Sequence, residues 1–130
     1  MDNRVTEYLE TISSPIKRAK VSSVLNKQYR TSRGVQTEAE IVLHYIDRGN
    51  AVLDYYSMTG KKREGMRLPK KPTWDIGDGD NFNGISKTAA VFANHLLGDR
   101  YDMAEMEARV DAEYKREIDR AKPPKWSSGW

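Results

Sequence analysis

Residues 37–60, TEAEIVLHYIDRGNAVLDYYSMTG, constrain the fold most, because they form the longest run in which apolar residues keep a helical period. Val42, Tyr45, Ile46, Gly49, Leu53 and Tyr56 fall at steps of three and four, while Glu38, Asp47, Arg48 and Asp54 mostly fall off that stripe. This is the pattern of a helix with one broad face against a core. Thr37 and Glu40 have capping-box spacing, in which the hydroxyl accepts the third helical N–H and the carboxylate accepts the N–H of the cap residue. Gly60 suits the left-handed conformation in which many helices stop. The segment therefore reads as one long central helix.

On its N-terminal side, Asp2 or Asn3 caps a short helix with Val5, Tyr8, Leu9 and Ile12 on one face. Ser14 followed by Pro15 opens a second helix, since proline at a first helical position loses only an N–H that had no partner. Its stripe of Val21, Val24, Leu25 and Tyr29 carries it to about Arg30, with Ile16 a turn or so earlier. Lys17, Arg18, Lys20 and Lys27 give its exposed faces a positive field. Residues 31–34, TSRG, form a polar turn into the central helix.

Residues 61–84 hold two prolines and four glycines, with no usable periodicity. They read as an unusually long loop, basic in its first half and acidic and glycine-rich in its second. A fourth helix starts near Asn83 or Ser86 and runs to Leu97, with Ile85, Ala89, Phe92, Ala93, Leu96 and Leu97 on one side and Gly98 as its stop. Asp102 and Glu105 open the last helix, where Met103, Met106, Val110, Tyr114, Ile118 and Ala121 make a narrow stripe among dense charges of both signs. Pro123 and Pro124 end it. The expected architecture is all-α: about five helices in an irregular bundle, with the long central helix, the loop over 61–84 and an extended C-terminal tail. A single helical domain spans residues 1–122, and the tail spans 123–130.

The chain has 130 residues, which suits one domain with one modest core. It has no cysteine, which excludes disulfides, thiolate zinc sites and cysteine nucleophiles. Charge lies in blocks: residues 1–36 carry seven basic and three acidic groups, and residues 37–60 one basic and four acidic. Residues 61–74 then carry six basic groups against one acidic. Such segregation suits docking onto complementary surfaces. No signal-peptide core and no apolar run of membrane-spanning length is present, so the expectation is a soluble protein, cytoplasmic or within an assembled particle rather than secreted.

No motif specifies an activity. In the acidic stretch DIGDGDNFNG, Asp78, Asp80, Asn81 and Asn83 are hard oxygen ligands, but an EF-hand begun at Asp78 places Phe82, Asn83 and Ala89 at positions that need a ligand, a glycine and a glutamate. Turn-building and helix capping explain these residues better. His44 and His95 are isolated inside helical patterns and read as structural. There is no P-loop, no GxGxxG and no GxSxG elbow. The expectation is therefore a non-enzyme with no cofactor and no metal.

Two surfaces suggest partners. Trp126 and Trp130 sit on the tail beyond the proline pair, and with Tyr114 and Ile118 of the last helix they are candidate contacts with a protein partner or with other copies of this chain. Lys61, Lys62, Arg63, Arg67, Lys70 and Lys71, followed by Trp74, are candidate contacts with nucleic acid, the cations on phosphates and the indole stacked on a base. The leading functional expectation is a small structural or adaptor subunit of a larger assembly, such as a virion component. The alternative is a nucleic-acid-binding accessory protein using the basic loop and the basic second helix.

Overall fold

The computed structural model describes residues 2–56, 72–79 and 81–121. Their elements run α1 (Asn3–Glu10), α2 (Pro15–Leu25), β1 (Gln28–Thr31), β2 (Gly34–Thr37), α3 (Glu38–Asp47), β3 (Val52–Tyr56), β4 (Thr73–Asp78), β5 (Asn81–Ile85), α4 (Lys87–Leu96) and α5 (Met103–Ala121). The five strands make two antiparallel sheets and take up 23% of the described chain, which overturns the all-α expectation. One sheet is the β1–β2 hairpin, and the other has the order β3-β4-β5.

Three misread segments account for the difference. The central helix is α3 alone. Gly49, which the periodicity placed on the apolar stripe, has φ +75 and donates its N–H to Ile46 O at 3.0 Å, so it terminates the helix. Beyond it the burial alternates, with Val52 and Asp54 out and Leu53 and Tyr55 in, the period of a strand. The second helix stops at Leu25, where Asn26 Nδ2 donates to Ser22 O at 2.9 Å and the chain turns into β1. The stretch read as a loop over 61–84 contains β4 and β5 in its second half; residues 61–71 lie outside the described residues. β4 hides from a periodicity search because Trp74, Asp75, Ile76 and Gly77 are all buried, so apolar and polar positions do not alternate. β5, NFNGI, is poor in strand-forming residues.

Helix starts follow their caps. Asp2 accepts from Arg4 N, Ser14 from Lys17 N, and Ser86 from Ala89 N. Thr37 and Glu40 make both bonds of the capping box, at 3.1 and 3.0 Å.

The chain divides into two compact units. The first, Met1–Asp54 with Trp74–Tyr101, centres on α4, which packs against α2 and α3. Ala89, Ala90 and Ala93 are fully buried there, small enough for close helix approach, and Phe92, Leu25, Val42 and Ile76 are among the largest fully buried side chains. The Tyr8 ring lies 5.1 Å from both the Phe92 and His95 rings. After α4, Gly98 and Asp99 take positive φ, and Asn94 exchanges two 3.0 Å hydrogen bonds with the Tyr101 backbone. The second unit, Tyr55–Thr73 with Asp102–Trp130, contains α5. Asp102 caps it by accepting from Glu105 N at 3.0 Å, and Tyr55 donates its hydroxyl to Asp111 Oδ1 at 3.2 Å.

Candidate nucleic-acid interface

Residues 11–37 contain six lysines and arginines and no acidic residue. They fold into two consecutive elements, α2 and the β1–β2 hairpin, neither of which carries an acidic side chain of its own. Arg18 is used structurally: its guanidinium donates to Leu9 O at 3.0 Å and Ile12 O at 2.6 Å, satisfying carbonyls left open at the end of α1. Lys17, Lys20, Lys27, Arg30 and Arg33 are exposed, and among the described residues none forms an ion pair.

The hairpin pairs Gln28 with Thr37, Tyr29 with Gln36, Arg30 with Val35 and Thr31 with Gly34. Alternation puts Tyr29, Thr31 and Gln36 on one face of the ribbon, and Gln28, Arg30 and Val35 on the other. The first face is occupied. Tyr29 donates its hydroxyl to Glu38 Oε2 at 3.4 Å, Lys27 Nζ lies 5.5 Å from its ring centre, and Thr31 Oγ1 accepts from Arg33 N at 3.1 Å. Arg33 sits 5.9 Å from the Tyr45 ring. The second face is open: Val35 is 62% exposed, and Gln28 and Arg30 make no side-chain hydrogen bond among the described residues. At the base of the ribbon, Glu38 N donates to Lys27 O at 2.9 Å, and the buried Glu38 carboxylate accepts from Ser86 N at 2.7 Å. A two-stranded ribbon is marginal on its own, and this anchor ties it to the N-termini of α3 and α4.

The same unit has a cleft of about 740 Å³ whose lining includes Asp2, Arg4, Glu40, His44 and Asp47. Its charges are already paired. Arg4 donates to Asp47 Oδ1 at 2.6 Å and to Asp2 Oδ1 at 3.1 Å, which holds both carboxyls below the usual range and pushes the guanidinium up. Burial, and then the charges of Arg33 and Arg48, push His44 below the ordinary histidine value. Glu40 serves the capping box. Among the described residues no three metal-ligating side chains cluster.

Of the residues singled out from the sequence, Trp74 lies on β4 at 3% exposure, so its ring is in the interior and does not face a base. Lys61, Lys62, Arg63, Arg67, Lys70 and Lys71 lie outside the described residues, as do Trp126 and Trp130. Tyr114 and Ile118 are half-buried on α5. The acidic stretch is a hairpin: Asp78 pairs with Arg48, Asn83 Nδ2 donates to Tyr45 OH at 2.9 Å, and Gly79 takes φ +73 in the turn. Sequence reasoning credited Lys17, Lys20 and Lys27 to a positive surface but missed Gln28, Arg30, Arg33 and Val35 as parts of a ribbon. The signal that was present is QYRT and GVQT flanking a Ser-Arg turn, two short β-prone runs around a turn ahead of a glycine.

No protein-family model matches the chain, and comparison with curated proteins and with solved structures found no match.

Proposed function

We propose that the chain is a non-enzymatic accessory protein that binds nucleic acid through α2 and the β1–β2 hairpin. The observation that carries this is an acid-free segment, residues 11–37, whose Lys17, Lys20, Lys27, Arg30 and Arg33 are exposed and, among the described residues, out of ion pairs. Five cations that displace counterions from a duplex predict a salt slope of up to about -4.5, or two to three decades of affinity between roughly 50 and 200 mM salt. Lys61, Lys62, Arg63, Arg67, Lys70 and Lys71 supply a further basic segment by sequence. The test is fluorescence anisotropy with labelled DNA and RNA across a salt series. A flat salt dependence, or no binding at low salt, removes this reading.

A second reading, a structural or adaptor subunit of a larger assembly such as a virion, is favoured by β5. It is an edge strand with neither lysine nor proline to protect it, and its Phe82 is 48% exposed. Light scattering on the full chain, on Phe82→Lys and on a chain truncated after Lys122 tests it. A full chain that stays monomeric in this assay sinks this reading, and association that survives both changes removes β5 and the tail as its contacts. Among the described residues no helix is long and apolar enough to cross a membrane.

A further inference from the structure

Given the nucleic-acid reading above, on which this step rests, the geometry points to the major groove of B-form DNA as the ligand site, entered by the β1–β2 ribbon with Gln28, Arg30 and Val35 facing the base edges. Three observations converge. First, the ribbon is exposed along most of its length and carries cations on more than one side. Lys27 and Tyr29 share one face, Arg30 lies on the other, and Arg33 is in the turn. A two-stranded ribbon fits the groove, about 12 Å wide, with a phosphate wall on each side.

Second, the open face holds residue types that read base edges there. Arginine matches the O6 and N7 acceptors of guanine, glutamine matches N6 and N7 of adenine, and an apolar side chain meets the thymine methyl. Arg30 and Val35 are direct cross-strand partners, and Gln28 is the next residue along that face of β1. None of the three is committed elsewhere in the fold among the described residues.

Third, the acid-free stretch offers single-stranded ligands no open aromatic platform among the described residues. Binding to unpaired bases draws on open aromatic faces. The one aromatic residue of the acid-free stretch is Tyr29, which has Lys27 against its ring and Glu38 on its hydroxyl. The exposed Phe82 belongs to residues 72–86, which carry three aspartates and no lysine or arginine, a surface that repels phosphate. Duplex RNA is disfavoured because its A-form major groove is too deep and narrow for side chains to read.

The experiment uses the full chain and anisotropy with a mixed-sequence DNA duplex of about two helical turns. Parallel probes are the same duplex with 7-deazaguanine in place of every guanine, the single strand, and the RNA duplex. Deazaguanine removes the N7 acceptor and leaves every phosphate in place. The expected result is binding about tenfold weaker to the deaza duplex, with Arg30→Ala weakened on the ordinary duplex and indifferent to the replacement. Arg30 has no bond to lose within the fold, so circular dichroism and melting of the variant should match the parent. Lys20→Ala serves as the phosphate comparison: it should weaken both duplexes alike and lower the salt slope by about 0.9. Equal affinity for the two DNA duplexes, or preference for the single strand or RNA, overturns the groove assignment and leaves nucleic-acid binding intact. No binding to any of the four probes at low salt overturns both.

Discussion

Glu38→Ala probes the joint on which the proposed ribbon depends. Glu38 is 3% exposed, is the first residue of α3, and accepts from the N–H of Ser86, the cap residue of α4, at 2.7 Å. A hydrogen bond to a charged acceptor contributes about 1.5 to 3 kcal/mol, and removing the acceptor leaves a part-buried N–H without a partner. The carboxylate also faces the positive ends of two helices, at about 0.3 to 1 kcal/mol each. Alanine returns a few tenths through its higher helix propensity, and the 3.4 Å contact with Tyr29 adds little. The expected cost is about 2 to 4 kcal/mol, and for Glu38→Gln, which keeps an acceptor at the same place and loses the charge, about 1 to 2. Urea unfolding reads both: with a slope of about 1 to 3 kcal/mol per molar, the alanine variant should lose at least about 0.7 M in midpoint. A cost under about 1 kcal/mol for alanine, or equal costs for the two variants, refutes the account of Glu38 as a shared cap.

Three further outcomes are expected. A Cβ at Gly77 falls 2.0 Å from Asn81 O, and one at Gly84, across the same hairpin, has nothing nearer than Asp75 Oδ1 at 3.7 Å. Thermal melts should therefore show Gly77→Ala destabilised by about 1 to 3 kcal/mol and Gly84→Ala within about 0.5 kcal/mol of the parent. Burial, and then the charge of Asp111, push the Tyr55 hydroxyl from 10.0 up to about 12, so its contribution is complete below pH 10 and is lost as pH rises toward 12. In that window stability should fall more steeply for the parent than for Tyr55→Phe, as read by denaturant titration at stepped pH. At Asp78, burial pulls the carboxyl upward but its hydrogen bond and ion pair with Arg48 outweigh that and hold it below 3.8. Its contribution is present above that value and is lost as pH falls through the lowered one. Arg48→Ala should raise the pH of acid unfolding, and an unchanged midpoint counts against the pair.

Helix starts were the most legible part of the sequence. Ser14, Thr37 and Asp102 cap where the sequence placed them, and Asp2 and Ser86 are each one of the two residues it offered, because capping is a bond between residues two or three apart and needs nothing from the rest of the chain. Helix ends were not legible at α2 and α3. Val24, Leu25 and Tyr29 continue a helical spacing, and Leu53 and Tyr56 do the same past Gly49, yet each continuation is a strand. Short apolar runs satisfy both periods, and the choice falls to whichever neighbour is available to pair. Of the candidate interface, the excess of cations in residues 11–37 was visible, but the hairpin that presents Arg30 beside Val35 was not, because the run had been absorbed into a helix.

The amino-acid sequence by itself determined three helix starts, narrowed two more to a pair of residues, and determined a turn at residues 31–34, the sign of each charge block and the absence of thiol chemistry, all of which depend on residue identity and close neighbours. Only the tertiary structure decided that Trp74 is a core residue. It did so by burying β4 on both of its faces, which removes the alternation that marks a strand in sequence. It also decided which cations remain available. Arg18, Arg4 and Arg48 are spent on Leu9 and Ile12 carbonyls, on Asp2 and Asp47, and on Asp78, partners up to 43 positions away. Charge can be counted along a chain, but whether a charge is open to a ligand depends on what the fold brings within hydrogen-bond reach of it.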